Sequence, residues 1–338
     1  METKQLLNKI MDGQDLTVEE AEFLLEEIIQ GKLNSAQAGA VLVGLRTKGE
    51  SVSEIVGFIK TMRKHMVSVP SPLAIDIVGT GGDGVGTFNI STATSFVVAG
   101  AGIRVAKHGN RAASSKCGSA DVLEALGVNI NLSPEQALGV LENIGMVFLF
   151  APLYHPAMKN IAPIRKELGI RTIFNFLGPF LNPAGVRRAV IGVPNIAIAK
   201  KLSRVAAELN FDHLFLFASR DGMDELSITE QSVVFLIKQR AVERIDVIPS
   251  DFGFKQSGKN NILGGDVTKN AAILKDVLSG KKGPKRDIVL LNSAFALVVS
   301  GKVKTVLEGI KLAQDSIDSG AAKNVLDNLI KETRKYGK

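Results

Sequence analysis

Cysteine is nearly absent from this chain. Its 338 residues contain one, Cys117, so no intrachain disulfide can form and no cysteine-built zinc site is available. Tryptophan is missing, and tyrosine occurs twice. The four histidines, His65, His108, His155 and His213, are scattered without metal-ligand spacing. No uncharged apolar run approaches the ~18 residues that span a bilayer. Met1-Glu2-Thr3-Lys4-Gln5 mixes acid with base and leads into no long apolar core, which does not fit a signal peptide. There is no Gly-x-Ser-x-Gly elbow and no Gly-Lys-Ser/Thr of a P-loop. A soluble, cytoplasmic protein with no membrane partner is expected.

What is there is ordinary globular composition, 45% apolar and 22% charged, in a chain long enough for two domains. The net charge of +7 is uneven: residues 251–338 hold 16 Lys+Arg against 9 Asp+Glu, and the remainder balances. Lys281, Lys282, Lys285 and Arg286 are its densest cluster. No aromatics interleave with these lysines to stack bases, so a solvated surface is preferred to a nucleic-acid patch.

The first seventy residues read as helices. Thr17-Val18-Glu19-Glu20 is a capping box, followed by Ala21, Leu24, Leu25 and Ile28 at helical spacing. Asn34 to Leu45 is a second helix, and Ser51-Val52-Ser53-Glu54 caps a third. Pro70-Ser71-Pro72 reads as a linker. Beyond it, short apolar runs alternate with helices. Candidate strands are Ala74–Val78, Ile103–Ala106, Met146–Phe150, Ala189–Val193, His213–Ala218, Val233–Ile237 and Ile288–Leu291. The fold class expected is α/β: a small N-terminal all-helical domain plus a larger α/β domain, with a mostly parallel central sheet flanked by helices. In such sheets ligands bind beyond the carboxyl ends of the strands. Four unusual loops fall at such ends: Gly79–Thr87, Lys107–Ser115, Ala151–Pro156 and Ser219–Glu225.

Gly79-Thr80-Gly81-Gly82-Asp83-Gly84 formally fits Gly-x-Gly-x-x-Gly, but the helix does not begin inside the motif and the next strand ends in Lys107-His108, not in an acid for a ribose diol. A nicotinamide site is therefore disfavoured. A longer anion cradle fits better: glycines admit the positive φ that turns successive N–H groups inward, and Asn89, Ser91 and Thr92 open the following helix. Lys107-His108-Gly109-Asn110-Arg111-Ala112-Ala113-Ser114-Ser115 adds cations, an amide and hydroxyls, with Lys107 and Arg111 able to neutralise a diphosphate. Asp221-Gly222-Met223-Asp224-Glu225 is a dense acidic turn at the same edge, suited to Mg²⁺ shared with a phosphorylated substrate. Arg165 shares a helix face with Met158 and Ala162. It could grip a carboxylate, or pair with Glu167.

Together with Thr87-Phe88-Asn89-Ile90-Ser91-Thr92, Gly118–Gly127, Tyr154-His155-Pro156-Ala157-Met158, Arg171–Asn175, Gly178-Pro179 and Asn182-Pro183, these segments resemble the anthranilate phosphoribosyltransferase family of tryptophan biosynthesis over about the whole chain. The resemblance implies a helical domain over 1–70, joined by part of about 165–185 and forming a homodimer, and a phosphoribosyl-diphosphate-binding domain over 71–338. It implies 5-phosphoribosyl 1-diphosphate bound by Gly79, Gly82, Asp83, Thr87, Asn89, Ile90, Ser91, Thr92, Lys107, His108, Gly109, Asn110, Arg111, Ala112, Ala113, Ser114, Ser115 and Ser119. Anthranilate would meet Gly79, His108, Asn110 and Arg165. Two Mg²⁺ ions per subunit would be held at Ser91, Asp224 and Glu225. Lys107, Arg165, Asp224 and Glu225 are the implied catalytic set. Phe180, where Leu is more familiar, and Cys117, where Ser is common, depart mildly from the family pattern without changing charge. A pyrimidine nucleoside phosphorylase and a non-enzymatic nucleic-acid-binding relative are the alternatives on the same fold.

Overall fold

A computed structural model describes residues 2–112 and 116–337. The chain forms two compact units, each assembled from separate stretches: Met1–Val67 with Pro152–Leu181, and Ser68–Ala151 with Asn182–Lys338.

In the first unit, helices Thr3–Met11, Val18–Ile29, Ser35–Lys48 and Val52–Lys64 fill the N-terminal stretch. The last three start with capping boxes, Thr17 with Glu20, Asn34 with Gln37 and Ser51 with Glu54. The third box is buried. The Glu54 carboxylate accepts from the Leu16 and Ser51 N–H groups and pairs with Lys48 at 3.1 Å, so a helix cap also ties two helices together. Gly57 lets Val18–Ile29 and Val52–Lys64 cross closely: a Cβ there would lie 2.6 Å from the Val18 carbonyl oxygen. The returning stretch begins at Pro152, earlier than residue 165, and its helix Met158–Leu168 packs on Val18–Ile29 and Ser35–Lys48. Pro156 lies in the turn before that helix, whose first residue is Met158, and Gly169 closes it with φ +63°.

The second unit is built on a seven-stranded sheet: β1 Ile75–Gly79, β2 Val105–Gly109, β3 Met146–Phe150, β4 Arg188–Gly192, β5 His213–Ser219, β6 Ser232–Lys238 and β7 Ala241–Val247. Their order is β3-β2-β1-β4-β5-β6-β7, with β1 to β5 parallel and β6 and β7 antiparallel. β1, β2 and β3 run outward on one side and β4 and β5 on the other, so the order reverses between β1 and β4. In open α/β sheets such a reversal marks the place where ligands bind, here at the carboxyl ends of these two strands, where Gly79 and Gly192 are register partners. Residues 68–71 are pinned and do not form a loose linker: Val69 donates to the Pro183 carbonyl and Ser71 to that of Ala184, both at 2.9 Å.

One expected strand is corrected, and one strand was not expected. Ile288–Leu291 is not a strand but lies in helix Pro284–Ser300, which is buried on almost every side. A fully buried helix shows no polar face, so a short apolar run there cannot be told from a strand by its pattern. Conversely, β7 reads as polar because it is an exposed edge strand carrying Glu243, Arg244 and Asp246. Gln239 and Arg240, both with positive φ, form the two-residue turn that joins it to β6. The basic cluster is largely committed to partners: Lys281 pairs with Asp276 at 2.8 Å, Arg286 with Asp318 at 2.7 Å, and Lys285 donates to the Asn261 carbonyl.

Candidate active site

The second unit gathers four chain segments at the β1–β4 crevice. The glycine loop leaves β1 at Gly79, and Gly81, Gly82, Gly84 and Gly86 all take φ between +70° and +76°. Its Thr80 N–H donates to the Gly192 carbonyl, and its Gly81 N–H to Asp224 Oδ2 at 2.8 Å. Asp83 turns the loop by accepting from the Val85 N–H, while its Oδ2 is buried without a hydrogen-bond partner. The hydroxyls of Thr80 and Thr92 are likewise buried and unpartnered. Orphaned polar atoms are rare in a finished interior, and a polar ligand would give these three a partner. Thr87 forms an isolated bridge with Leu263 at the far end of the loop.

Helix Ile90–Gly100 follows, with Asn89 before its first residue. Asn89 does not cap the helix. Its side chain pairs with Cys117, donating to the Cys117 carbonyl and accepting from Sγ. The Ser91 N–H at the helix start instead donates to Glu225 Oε1 at 3.0 Å. A helix N-terminus favours an anion, and here a carboxylate already occupies that position.

Lys107 and His108 are residues of β2, not of the turn after it, and both are buried. Lys107 is 1% exposed; its Nζ donates to the Ile77 carbonyl at 2.6 Å and to Ser91 Oγ at 3.2 Å. Burial draws its pKa down, and the charges of Asp76, Glu225 and Asp224 oppose that. Asp76, the acid inside β1, accepts from the Ile77 and His108 N–H groups and from Asn182 Nδ2, and burial pushes its pKa up to about 6. Asp224 is pushed up to about 7, first by burial of its carboxyl and next by the neighbouring Asp83 charge, against the Gly81 N–H. Glu225 is raised well above the usual range by burial and then by Asp224.

The acidic turn thus splits in two. Asp221 is held by the Ser227 and Thr229 hydroxyls and serves the turn itself. Asp83 and Glu225 act on Asp224 by charge, and Glu225 accepts from the N–H of Ser91, whose hydroxyl accepts from Lys107. This hard-oxygen set, strained by like charge, suits a divalent cation. Among the described residues no three His, Cys, Asp or Glu side chains are close enough to cage an ion alone. Mg²⁺ takes one or two carboxylates and completes its shell from phosphates and water.

The remaining expected residues divide between the two units. A Cβ on Gly109 would lie 2.4 Å from Ser119 Oγ, so the glycine admits the Ser119 helix start. Asn110 is exposed, and its carbonyl accepts from Ser119 Oγ and the Ala120 N–H. The Arg111 guanidinium is engaged by Asp121 and Glu124 and lies over the Phe150 ring, so it is committed to helix Ser119–Leu126 and not to the Lys107 cluster. Asp121 also accepts from the Ala112 and Gly118 N–H groups. Ala113, Ser114 and Ser115 lie outside the described residues. The loop expected at 151–156 is a short helix, Ala151–Tyr154, because the chain leaves the unit there. Arg165, on helix Met158–Leu168 of the first unit, stacks over Phe174 with 5.4 Å between guanidinium carbon and ring centre. Burial lowers its pKa, and no carboxylate, Glu167 included, opposes that shift.

Asp76, Thr80, Asn182 and Gly192 were not among the expected site residues. An acid inside an otherwise apolar strand is a usable signal for Asp76; a lone glycine at the end of β4 gives none.

Comparison with known proteins matches the description "Glycosyl transferase family, a/b domain" to residues 71–323 and "Glycosyl transferase family, helical bundle domain" to residues 4–66. An anthranilate phosphoribosyltransferase of Dehalococcoides mccartyi is 48% identical over 332 residues, covering 97% of both chains. The crystal structure of the anthranilate phosphoribosyltransferase from Thermus thermophilus superposes with a TM-score of 0.91 at 35% identity, covering 99% of this chain and 100% of that one. The Saccharomyces cerevisiae enzyme in complex with PRPP and Mg superposes with a TM-score of 0.83 at 29% identity, covering 94% and 92%.

Proposed function

The chain belongs to the anthranilate phosphoribosyltransferase family, and from that membership we infer that it transfers the 5-phosphoribosyl group of 5-phosphoribosyl 1-diphosphate to the amino group of anthranilate. The aniline nitrogen attacks C1 of the ribose, the C1–O bond to diphosphate breaks, and the nitrogen loses a proton. The products are N-(5-phosphoribosyl)anthranilate and diphosphate. The observation that carries this reading is the gathering of Asp76, Asp224 and Glu225 around the buried Lys107 side chain, with Asp83 beside Asp224 and the unpartnered hydroxyls of Thr80 and Thr92 in the same unit.

The nucleophile is neutral near pH 7, so no strong base is needed. The protein's task is to position two substrates and to stabilise the charge on the leaving diphosphate. The glycine-loop amides and the Lys107 ammonium supply donors for that charge. Ser91, Asp224 and Glu225 would hold Mg²⁺, two ions per subunit in our reading, which neutralises diphosphate oxygens when bound. Arg165 is assigned the anthranilate carboxylate and Asn110 and His108 the ring, because a planar guanidinium matches a carboxylate with two hydrogen bonds. A cytoplasmic homodimer formed through the helical unit completes the proposal.

Loss of anthranilate fluorescence on mixing protein, Mg²⁺ and 5-phosphoribosyl 1-diphosphate tests it, against low background in a chain without tryptophan. Decay that needs all three supports the assignment. No decay from folded protein, together with phosphorolysis of a pyrimidine nucleoside, would replace it with the phosphorylase reading.

A further inference from the structure

Gly192 ends β4 opposite Gly79 of β1. A Cβ on Gly192 would lie 1.7 Å from the Asp224 carbonyl oxygen and 2.5 Å from its carbonyl carbon. These are backbone atoms and cannot swing aside. A Cβ on Gly79 would lie 2.3 Å from Asp224 Oδ2, at the free end of the same residue. Neither glycine has a left-handed φ, so space and not backbone conformation excludes a side chain. The acidic turn is fixed from behind as well: Ser219 Oγ donates to the Glu225 carbonyl, and the Leu226 N–H donates to Asn292 Oδ1 at 3.0 Å. An atom added at position 192 must therefore displace Asp224 itself. The Gly192 carbonyl also accepts the Thr80 N–H at 2.9 Å, so the glycine loop and the acidic turn are both referenced to this one residue.

We propose that Gly192, assisted by Gly79, is a positioning residue of the transfer reaction: the bare ends of β4 and β1 form the seat that sets Asp224, and through it Glu225, for the cation that binds diphosphate. The inference rests on the reading of Asp224 and Glu225 as Mg²⁺ ligands.

The test is calorimetric titration of inorganic diphosphate with Mg²⁺ into full-length wild type and Gly192→Ala, with apparent Mg²⁺ constants and both KM values measured alongside. Displaced ligands should weaken Mg²⁺-dependent diphosphate binding and raise the Mg²⁺ requirement by about tenfold or more, the size expected when a ligand's support is lost. The KM for anthranilate should stay near wild type. Native diphosphate affinity, or lower activity with an unchanged Mg²⁺ constant, would overturn the proposal. Should Gly192→Ala not fold, Gly79→Ala presses on the side-chain carboxylate of Asp224 and not on its backbone; it should show the same Mg²⁺ defect, and wild-type Mg²⁺ dependence there overturns the proposal equally. Wild type that binds no diphosphate with Mg²⁺ overturns the functional reading, and this inference with it, before any variant is compared.

Discussion

Lys107 holds a charge in the middle of a parallel sheet, where it keeps 1% of its surface exposed. Burying an ammonium is costly unless opposite charges and acceptors surround it, and Asp76, Asp224, Glu225 and the Ile77 carbonyl do so here. Burial first, and the repulsion between neighbouring carboxylates second, make Asp224 and Glu225 hold their protons more tightly than exposed acids. A cation relieves that repulsion. Asp224→Asn removes one ligand charge and should raise the Mg²⁺ concentration for half-maximal rate by about 10- to 100-fold. An unchanged Mg²⁺ titration would remove Asp224 from the metal site. Arg165 faces no carboxylate of its own and stacks on Phe174. Arg165→Ala should raise the KM for anthranilate by about 10- to 100-fold, the loss of a charge-assisted bond of roughly 1.5–3 kcal/mol. The KM for 5-phosphoribosyl 1-diphosphate should hardly move, and steady-state kinetics with each substrate varied separates the two.

Among the elements, close contact decides more than propensity. Gly57→Ala pushes a methyl into the Val18 carbonyl and the Ala21 side chain, so it should cost about 1–3 kcal/mol even though alanine is the better helix former. Thermal unfolding would show a Tm several degrees lower; an unchanged Tm would mean that the two helices part freely. Capping boxes at Thr17, Ser51 and Ser133 are legible in sequence because each is a local pattern four residues long, and all three form. The glycine loop is legible for the same reason. Ile288–Leu291 and Ala241–Val247 are misread because their character depends on what surrounds them: one is apolar on all sides inside a helix layer, the other is polar because nothing covers it. The role of Asp76 hangs on Asn182, 106 residues away, and Gly192 matters only through a turn that arrives later in the chain. Partnerships of that range leave no local trace.

For the molecule as a whole, buried titratable groups link stability to pH. His155 is 5% exposed, and burial holds its pKa near 4 against 6.5 for the free imidazole. On acidification the unfolded chain takes up the proton first, so His155 costs stability progressively from pH 6.5 down to about 4, in total roughly 3 kcal/mol. Asp76, raised to about 6, acts in the opposite sense, since the folded state is protonated first. Chemical denaturation of wild type and His155→Gln across pH 4.5–7.5 isolates the histidine: the variant should gain about 2–3 kcal/mol relative to wild type at the acid end. Parallel curves would mean that His155 does not titrate in this way. Net charge adds a further check, because Lys281, Lys285 and Arg286, in the densest basic cluster, are held by acids and a carbonyl and should give no retention of duplex DNA at physiological salt.

The helical unit is assembled from two stretches separated by the first half of the sheet, Met1–Val67 and Pro152–Leu181. Its helices Val18–Ile29 and Ser35–Lys48 pack early on Val52–Lys64 and Thr3–Met11, but lack a further packing partner until Met158–Leu168 has been synthesised. At ribosomal speeds of roughly 5–20 residues per second, the early helices wait on the order of ten seconds with an apolar face uncovered. Translation therefore imposes an order: the sheet strands β1 to β3 emerge before the smaller unit can close.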